Sequence, residues 1–213
     1  MSAKLRVFIA DDHGMVRKGL RQILEDGDDI EVTGEASDYG GLVAGLKKHT
    51  CDVLLIDVSM PGKNGIDALK QVLKDYPALR ALVVSMYPED QFALRALKAG
   101  ASGYLTKTSG PEKLLEAVRE IAAGRKYVSA GLAQALALSV TGGGGGPLHE
   151  ALSDREFQTL RLIAAGKKLS QIAQEMALSA KTVSVYRARL LEKMKMRNNA
   201  ELTRYALENH LVD

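Results

Sequence analysis

Short apolar runs alternate with amphipathic stretches through the first half of the chain. The runs are Val7–Ala10, Val53–Ile56, Ala81–Val84 and Gly103–Leu105, with a weaker β-rich piece at Ile30–Thr33. Short apolar runs of this kind suit strands buried on both faces. Helical patterns occupy 14–25, 40–48, 65–75, 89–99 and 111–123. Strand followed by helix, five times over, predicts an α/β domain: a five-stranded, parallel, doubly wound sheet with helices on both faces. In such sheets ligands sit outside the carboxyl ends of the strands, so chemistry is to be sought there.

The pattern changes after residue 126. Residues 130–139 are rich in Ala and Leu and predict a short helix. Gly142 to Gly146 follow, an unbroken glycine run whose backbone entropy opposes any regular element, and they read as a tether. A phosphate-binding loop is a poor alternative, since no strand precedes the glycines and no Gly-Lys-Ser/Thr follows. From residue 150 onward there are four helical patterns and no strand. Ser153-Asp154-Arg155-Glu156 is a capping box that opens the first of them, and Gly166 closes it. The others fall at 170–177, 180–195 and 199–208. The expected organisation is an α/β domain over 1–126, a linker over 127–149 and an all-α, four-helix domain over 150–213.

Composition adds limits. Apolar residues are 46% and charged residues 26%, enough to bury a core. No apolar run approaches the roughly 18 residues of a membrane span, and the amino-terminal residues do not form a secretion signal. One cysteine, Cys51, excludes an internal disulfide and a multi-cysteine zinc site, and it reads as a buried or half-buried thiol. A cytoplasmic protein is expected. The net charge of +3 is unevenly spread. Residues 1–126 are balanced, with 18 basic and 18 acidic side chains, whereas 161–197 carry 9 basic residues against only Glu175 and Glu192. A local basic excess suits a polyanion such as DNA, the alternative being a solvated helix face that happens to be basic.

The strand ends collect a defined set of side chains. Strand one runs into Asp11 and Asp12, strand three into Asp57, strand four ends at Ser85, and strand five stops just before Lys107. An Asp at a strand end is often only a helix cap. Three of them converging with a hydroxyl and an ammonium ask for another explanation. Carboxylates held together repel, and a divalent cation relieves this; oxygen ligands favour Mg²⁺. Lys107 suits a phosphoryl group, and a carboxylate can act as a nucleophile towards phosphorus. His13, directly after the acidic pair, reads as a helix-start residue rather than a ligand.

In order and spacing, Asp11-Asp12, Asp57-x-x-Met60-Pro61-Gly62-x-Asn64-Gly65, Ser85 and Gly103-Tyr104-Leu105-x-Lys107 resemble the receiver domain of bacterial response regulators over about residues 4–125. The resemblance implies a flavodoxin-like fold with Asp57 as phosphoacceptor. It implies Mg²⁺ held by Asp12 and Asp57, by Asp11 mainly through water, and by the Ser59 backbone carbonyl. Ser85 and Lys107 would then engage phosphoryl oxygens, and Tyr104 would be the switch aromatic, turning inward as Ser85 moves. Ser59 and Tyr87 would tune phosphoryl lifetime, and Pro61 and Gly62 would shape the loop. In many receivers a proline directly follows this lysine; here Thr108 does, as is common in the NarL/FixJ branch.

The helix at 180–195 places Val183, Tyr186, Leu190 and Met194 on one face at about 100° per residue. Lys181, Val185, Ala188, Arg189 and Glu192 point away, with Ser184 at the margin. Small and basic residues outward can enter a major groove, which is helix-turn-helix geometry, although a plain helical bundle fits the pattern too. The strings Leu152-Ser-Asp-Arg155-Glu156, Ala165-Gly166-Lys-Lys-Leu-Ser170-x-Ile172-Ala173, Leu178-Ser179-x-x-Thr182-Val183 and Leu190-Leu191-x-Lys193-Met194 resemble the LuxR-type DNA-binding domain over about 150–210. The whole chain is thus similar to NarL/FixJ-type response regulators. Ser184 and Tyr186 stand where that family often has lysine and histidine, and Thr182-Val183-Ser184-x-Tyr186-Arg187-x-Arg189-Leu190-Leu191 is most similar to the branch containing BvgA and EvgA. The expected base-edge residues are Lys181, Ser184, Val185 and Ala188; the expected phosphate contacts are Lys168, Thr182, Arg187 and Arg189.

The function these readings imply is a transcription factor controlled by phosphorylation of Asp57. A sensor histidine kinase is the expected partner, double-stranded DNA the ligand, Mg²⁺ the cofactor and a homodimer the activated form, with no membrane association. Two alternatives differ in class. A Mg²⁺-dependent phosphohydrolase would use the same nucleophile, but its second aspartate, two residues after the first, is Ser59 here. A DNA-binding regulator with a silent receiver, controlled by protein contacts, would not need the complete acidic set.

Overall fold

A computed structural model describes residues 4–58, 60, 65–86, 89–129, 131–134, 147–176 and 178–212. It divides into two units, Met1–Leu138 and Ser139–Asp213. The run Gly142–Gly146 and most of the expected helix at 130–139 lie outside the described residues; residues 131–134 are helical.

The first unit alternates β1 (Leu5–Ala10), α1 (Gly14–Glu25), β2 (Ile30–Ala36), α2 (Tyr39–Lys48), β3 (Val53–Ile56), α3 (Gly65–Asp75), β4 (Arg80–Ser85), α4 (Glu89–Lys98), β5 (Gly103–Thr106) and α5 (Pro111–Ala122). The strands form one sheet in the order β2-β1-β3-β4-β5, every pair parallel. This is the doubly wound arrangement expected from the alternation. Residues alternate between its faces. Val7, Ile9, Val53, Leu55, Leu82 and Val84 meet Leu24 of α1 and Leu114, Val118 and Ile121 of α5. Phe8, Leu54 and Ile56 point to the opposite face, and all three are buried.

Phe8 sets the spacing on that face. A methyl group added at Gly45 would lie 2.4 Å from Phe8 Cζ, and one at Gly34 would lie 2.5 Å from Phe8 Cε2. Gly45 sits inside α2, where alanine would ordinarily be the better helix former. It is needed because the helix backbone crosses an aromatic ring that is wholly buried and has nowhere to go. At Gly34 the register of β1 with β2 slips between Val7 and Phe8, so β2 extends past the expected Thr33 to Ala36.

The first residues after α5 dock on β5. Tyr127 makes a parallel bridge to Gly103, its N–H donating to the Ser102 carbonyl at 2.9 Å. Lys126 Nζ donates to the Ala101 carbonyl at 2.7 Å, and Leu132 is buried. A side chain at Gly103 would meet the Tyr127 carbonyl at 2.7 Å. The segment therefore belongs to the first unit. The polar edge of β5 needs hydrogen-bond partners, and Lys126 and Tyr127 supply them; pattern reading of these residues alone cannot see that edge.

The second unit contains a 3₁₀ turn (Leu148–Ala151), α6 (Asp154–Ala164), α7 (Leu169–Glu175), α8 (Ala180–Lys193) and α9 (Asn199–Glu208). Its core joins Phe157, Leu160 and Ile163 of α6, Ile172 of α7, Val183 and Leu190 of α8, and Leu202 and Ala206 of α9, all buried. Helices α6, α8 and α9 each end with a residue in the left-handed region, Gly166 (φ 79), Lys195 (φ 55) and His210 (φ 53). In each, the next N–H reaches back to a carbonyl of the last turn, Lys167 to Leu162 at 3.1 Å, Met196 to Leu191 at 2.9 Å and Leu211 to Ala206 at 2.8 Å. These are Schellman ends.

Gly45→Ala tests the Phe8 constraint. In an exposed helix interior the change would stabilise by about 1 kcal/mol; here overpacking is expected to reverse the sign and destabilise by about 1–3 kcal/mol. Denaturant unfolding of the full chain measures it, and a gain in stability would show that Phe8 can move aside.

Candidate functional site

The strand order reverses between β1 and β3, since β2 lies on one side of β1 and β4 beyond β3. This is the switch point at which a doubly wound sheet leaves a crevice at its carboxyl edge. Asp11 and Asp12 follow β1, Asp57 follows β3, and backbone bonds align them. Asp57 N–H donates to the Ala10 carbonyl at 2.8 Å, and Asp11 N–H to the Ala36 carbonyl at 3.0 Å. Asp11 and Asp57 are 1% and 2% exposed, and Ser85 is wholly buried.

Lys107 reaches this edge from the loop after β5. Its backbone N–H donates to the Ser85 carbonyl at 2.7 Å. Its Nζ, on a side chain 4% exposed, lies 2.5 Å from Asp57 Oδ2 and 2.5 Å from Asp11 Oδ2. Burial by itself pulls the ammonium towards neutrality. Hydrogen bonds and charge from Asp11 and Asp57 outweigh it, and the pKa stands above the usual lysine value. Lys107 is therefore a resident cation that balances part of the buried negative charge.

The remaining parts hold this frame. Arg17 of α1 donates to the Asp11 carbonyl at 2.6 Å and pairs with Glu35. Gly65, at the start of α3, approaches the chain after Asp57 so closely that a Cβ would meet the Asp57 carbonyl at 2.4 Å and Val58 Cα at 2.3 Å. Tyr104 is 2% exposed. It lines a cavity of about 340 Å³ with Glu89, Thr106, Lys113, Tyr127 and Ser129, so the segment after α5 also borders the predicted switch residue. Ser59, Pro61, Gly62 and Tyr87 lie outside the described residues. Cys51 is half-buried at the opposite edge of the sheet, and burial pushes its thiol up to about 11; that is an unreactive thiol at neutral pH.

The acidic set fits a divalent cation. Ligand atoms of Asp11, Asp12, His13 and Asp57 all lie within 4.8 Å of one another. Asp12 Oδ1 is buried with no hydrogen-bond partner. A buried carboxylate oxygen left in this state calls for a cation or water.

In the second unit, α7 and α8 form a helix-turn-helix pair. Ser179 caps α8, its side chain accepting the Thr182 N–H at 3.1 Å, and its hydroxyl is 2.8 Å from that of Thr182. Val183, Leu190 and Met194 are buried, and Lys181, Ser184, Val185, Ala188 and Arg189 are exposed. Val185, 43% exposed, is an apolar side chain held outward beside basic ones. Lys168 is exposed at the start of α7. Arg187 is half-buried and donates from Nε to Asn199 Oδ1 at 2.6 Å, so it faces α9 as well as solvent. Among the described residues, Lys168, Lys181 and Arg189 have no carboxylate partner.

The helix is held against α6 through Glu156, which the pattern had shown only as a cap. Glu156 accepts the Ser153 N–H at 2.8 Å and also the Lys193 ammonium, from the end of α8, at 2.7 Å. The Lys193 contact was not legible beforehand, because the residues stand far apart in the chain. Burial pushes the Glu156 carboxyl up, but Lys193 and the Ser153 backbone bring it below the usual value.

A parallel sheet with this carboxyl edge, joined to a helix-turn-helix unit, defines a receiver joined to a DNA-binding module. Residues 7–119 match the response regulator receiver domain, and residues 150–206 match the luxR family of bacterial regulatory proteins. The chain belongs to the response regulators that combine these two domains. It is 36% identical over 210 residues to response regulator GacA of Pseudomonas aeruginosa, with 98% of each chain covered. It is 34% identical over 210 residues to response regulator UvrY of Escherichia coli, covering 98% of this chain and 96% of that one. Among solved structures it resembles RcsB of Salmonella typhimurium, at a TM-score of 0.73 and 28% identity over 96% of this chain and 97% of that one. A second RcsB structure, bound to promoter rprA in the presence of phosphomimetic BeF3-, matches at 0.68 and 29% over 95% and 98%. The chain is thus a receiver with a LuxR-type DNA-binding domain, homologous to the GacA and UvrY regulators. The similarity to BvgA and EvgA rests on the α8 string alone. No helix among the described residues is long and apolar enough to cross a membrane.

Glu156 makes the second unit acid-sensitive. Its depressed folded-state pKa contributes stability that is complete above the unfolded value of 4.5 and is lost as pH falls through the folded value. Glu156→Gln is expected to cost about 1–3 kcal/mol at neutral pH, read by denaturant unfolding of the full chain. The gap between variant and wild type should close on acidification; a gap that persists at low pH would assign the cost to packing.

Proposed function

We propose that the chain is a transcription factor switched by phosphorylation of Asp57. The observation that carries this is the buried Lys107 ammonium shared by Asp11 and Asp57 at the switch point of the sheet. In the reaction a carboxylate oxygen of Asp57 forms a bond to the phosphorus of a phosphohistidine on a sensor kinase. The phosphorus–nitrogen bond breaks and its electron pair stays on the imidazole. Lys107 balances charge on a phosphoryl oxygen, and the Ser85 hydroxyl, at the end of β4, donates to another. Asp11, Asp12, Asp57 and the Ser59 carbonyl are the groups that would hold Mg²⁺, which screens the carboxylates from the incoming phosphoryl oxygens. Beyond its own Mg²⁺-dependent phosphotransfer and dephosphorylation, the chain has no external substrate.

The added phosphoryl charge at Asp57 acts on the neighbouring loops. Ser85 connects to α4 and Tyr104 to the segment after α5, so the change reaches the face lined by Tyr104, Lys113 and Tyr127. Phosphorylation favours a homodimer, and RcsB supplies a precedent in a structure of two dimers bound to two parallel DNAs. The dimer binds double-stranded DNA through α8. Lys181, Ser184, Val185 and Ala188 face base edges; Lys168, Thr182, Arg187 and Arg189 face phosphates, with Thr182 doing so from within the Ser179 cap. The protein works in the cytoplasm, where kinase and chromosome are both present. Its parts are a receiver over 1–126, a connecting segment over 127–149 whose first residues dock on the receiver, and a DNA-binding domain over 150–213.

The test is the intact mass after incubation with acetyl phosphate, with Mg²⁺ or with chelator. A single phosphoryl adduct is expected with Mg²⁺ on wild type and none on Asp57→Asn. A well-folded wild type that gains no adduct would leave a regulator controlled by protein contacts. DNA binding has its own check. Arg189→Ala should weaken binding to all sequences and lower the slope of log affinity against log salt by about 1, whereas Lys181→Ala should relax preference at particular base pairs. Equal losses with an unchanged slope would take Arg189 off the phosphates.

A further inference from the structure

Helix α1 begins at Gly14, so Arg17 stands in its first turn. A cation there opposes the helix dipole, and that turn holds no acidic residue to offset it. What occupies the guanidinium lies outside the helix. Helical side chains lean towards the amino end, and this one, only 20% exposed, leans back over the end of β1. Its Nη1 donates to the Asp11 carbonyl at 2.6 Å, and its Nε pairs with Glu35 Oε2 at 3.4 Å. Glu35, near the end of β2, is held in turn by Arg21 Nε at 2.6 Å.

The Asp11 carbonyl lies where the sheet stops holding the chain. Strand β1 pairs with β2 and with β3 as far as Ala10. Just beyond, the Asp11 N–H still reaches the Ala36 carbonyl. The next group along is the Asp11 carbonyl, which belongs to the peptide joining Asp11 to Asp12. Fixing it fixes the plane of that peptide, and with it the direction in which the Asp12 side chain leaves the backbone. The Asp11 side chain has its own holds, the His13 N–H at 2.8 Å and Lys107 Nζ at 2.5 Å. Both of these act on Asp11, and the aim of Asp12 is left to the peptide before it.

We infer that Arg17 is a positioning residue of the phosphoacceptor site: by holding the Asp11–Asp12 peptide it aims the Asp12 carboxylate and so sets the affinity for Mg²⁺. The inference rests on reading the acidic edge as a divalent-cation site. Arginine suits the task because its rigid fork serves two acceptors at once, here a carbonyl and a carboxylate, whereas lysine has the charge without the fork.

The test is titration of the ¹⁵N-labelled full chain with Mg²⁺, without phosphodonor, read from the amide signals of Asp12 and His13. Arg17→Ala should weaken Mg²⁺ binding about tenfold, the scale on which groups that orient metal ligands act. Arg21→Ala should leave the affinity unchanged, because it loosens Glu35 and the packing of α1 without touching the Asp11 carbonyl. Arg17→Lys keeps the charge and should not regain wild-type affinity; it carries the same test if the alanine variant does not fold. Wild-type affinity in Arg17→Ala, or an equal loss in Arg21→Ala, overturns the inference, and full recovery in Arg17→Lys replaces it with an effect of charge alone. Each of these leaves the phosphoacceptor reading standing. Failure of wild type to bind Mg²⁺ overturns both.

Discussion

The first domain is organised around a charge that cannot be left alone. Asp11 and Asp57 are almost completely buried within reach of one another, and two carboxylates so placed repel in a medium that screens poorly. Lys107 resolves this from the far end of the sheet's order, between the two oxygens. Removing one partner of a buried pair of this kind typically costs about 3–5 kcal/mol, because it strands the other. The arrangement is balanced only in part, since Asp12 Oδ1 still lacks a hydrogen-bond partner. A site with one cation built in and room for another suits the arrival of a phosphoryl group, which brings negative charge and needs positive partners already in position.

The sheet explains why these groups meet. Parallel strands joined by helices all deliver their carboxyl ends to the same edge. The reversal of order between β1 and β3 opens that edge where Asp11, Asp12 and Asp57 emerge. The packing beneath is tuned to keep the edge in register. Phe8 fills the space under Gly34 and Gly45, and Gly65 lets α3 begin against the chain just after Asp57. The segment after α5 closes on β5 through Tyr127, beside Tyr104, so what leaves the receiver is tied to the strand that carries Tyr104.

The second domain solves a different problem, that of presenting a helix. Helix α8 buries Val183, Leu190 and Met194 and leaves Lys181, Ser184, Val185, Ala188 and Arg189 outward. Glu156 fixes it from the side by joining the α6 cap to Lys193 at the other end of α8. A helix with one face left outward needs its supports on the other side only, and the buried carboxylate with its long lysine arm provides this without covering the outward face.

Much of this was present in the linear pattern. Hydrophobic periodicity and the capping box located the strands and helices, and strand ends named Asp11, Asp12, Asp57, Ser85 and Lys107, because the parallel topology follows from the alternation itself. The wheel of α8 separated buried from outward residues for the same reason, helical period being a local property. What folding alone decided is contact between residues far apart in the chain. The bridge from Lys107 to two carboxylates, the hold of Lys193 on Glu156, the ring of Phe8 behind two glycines and the docking of Tyr127 on β5 have no local signature.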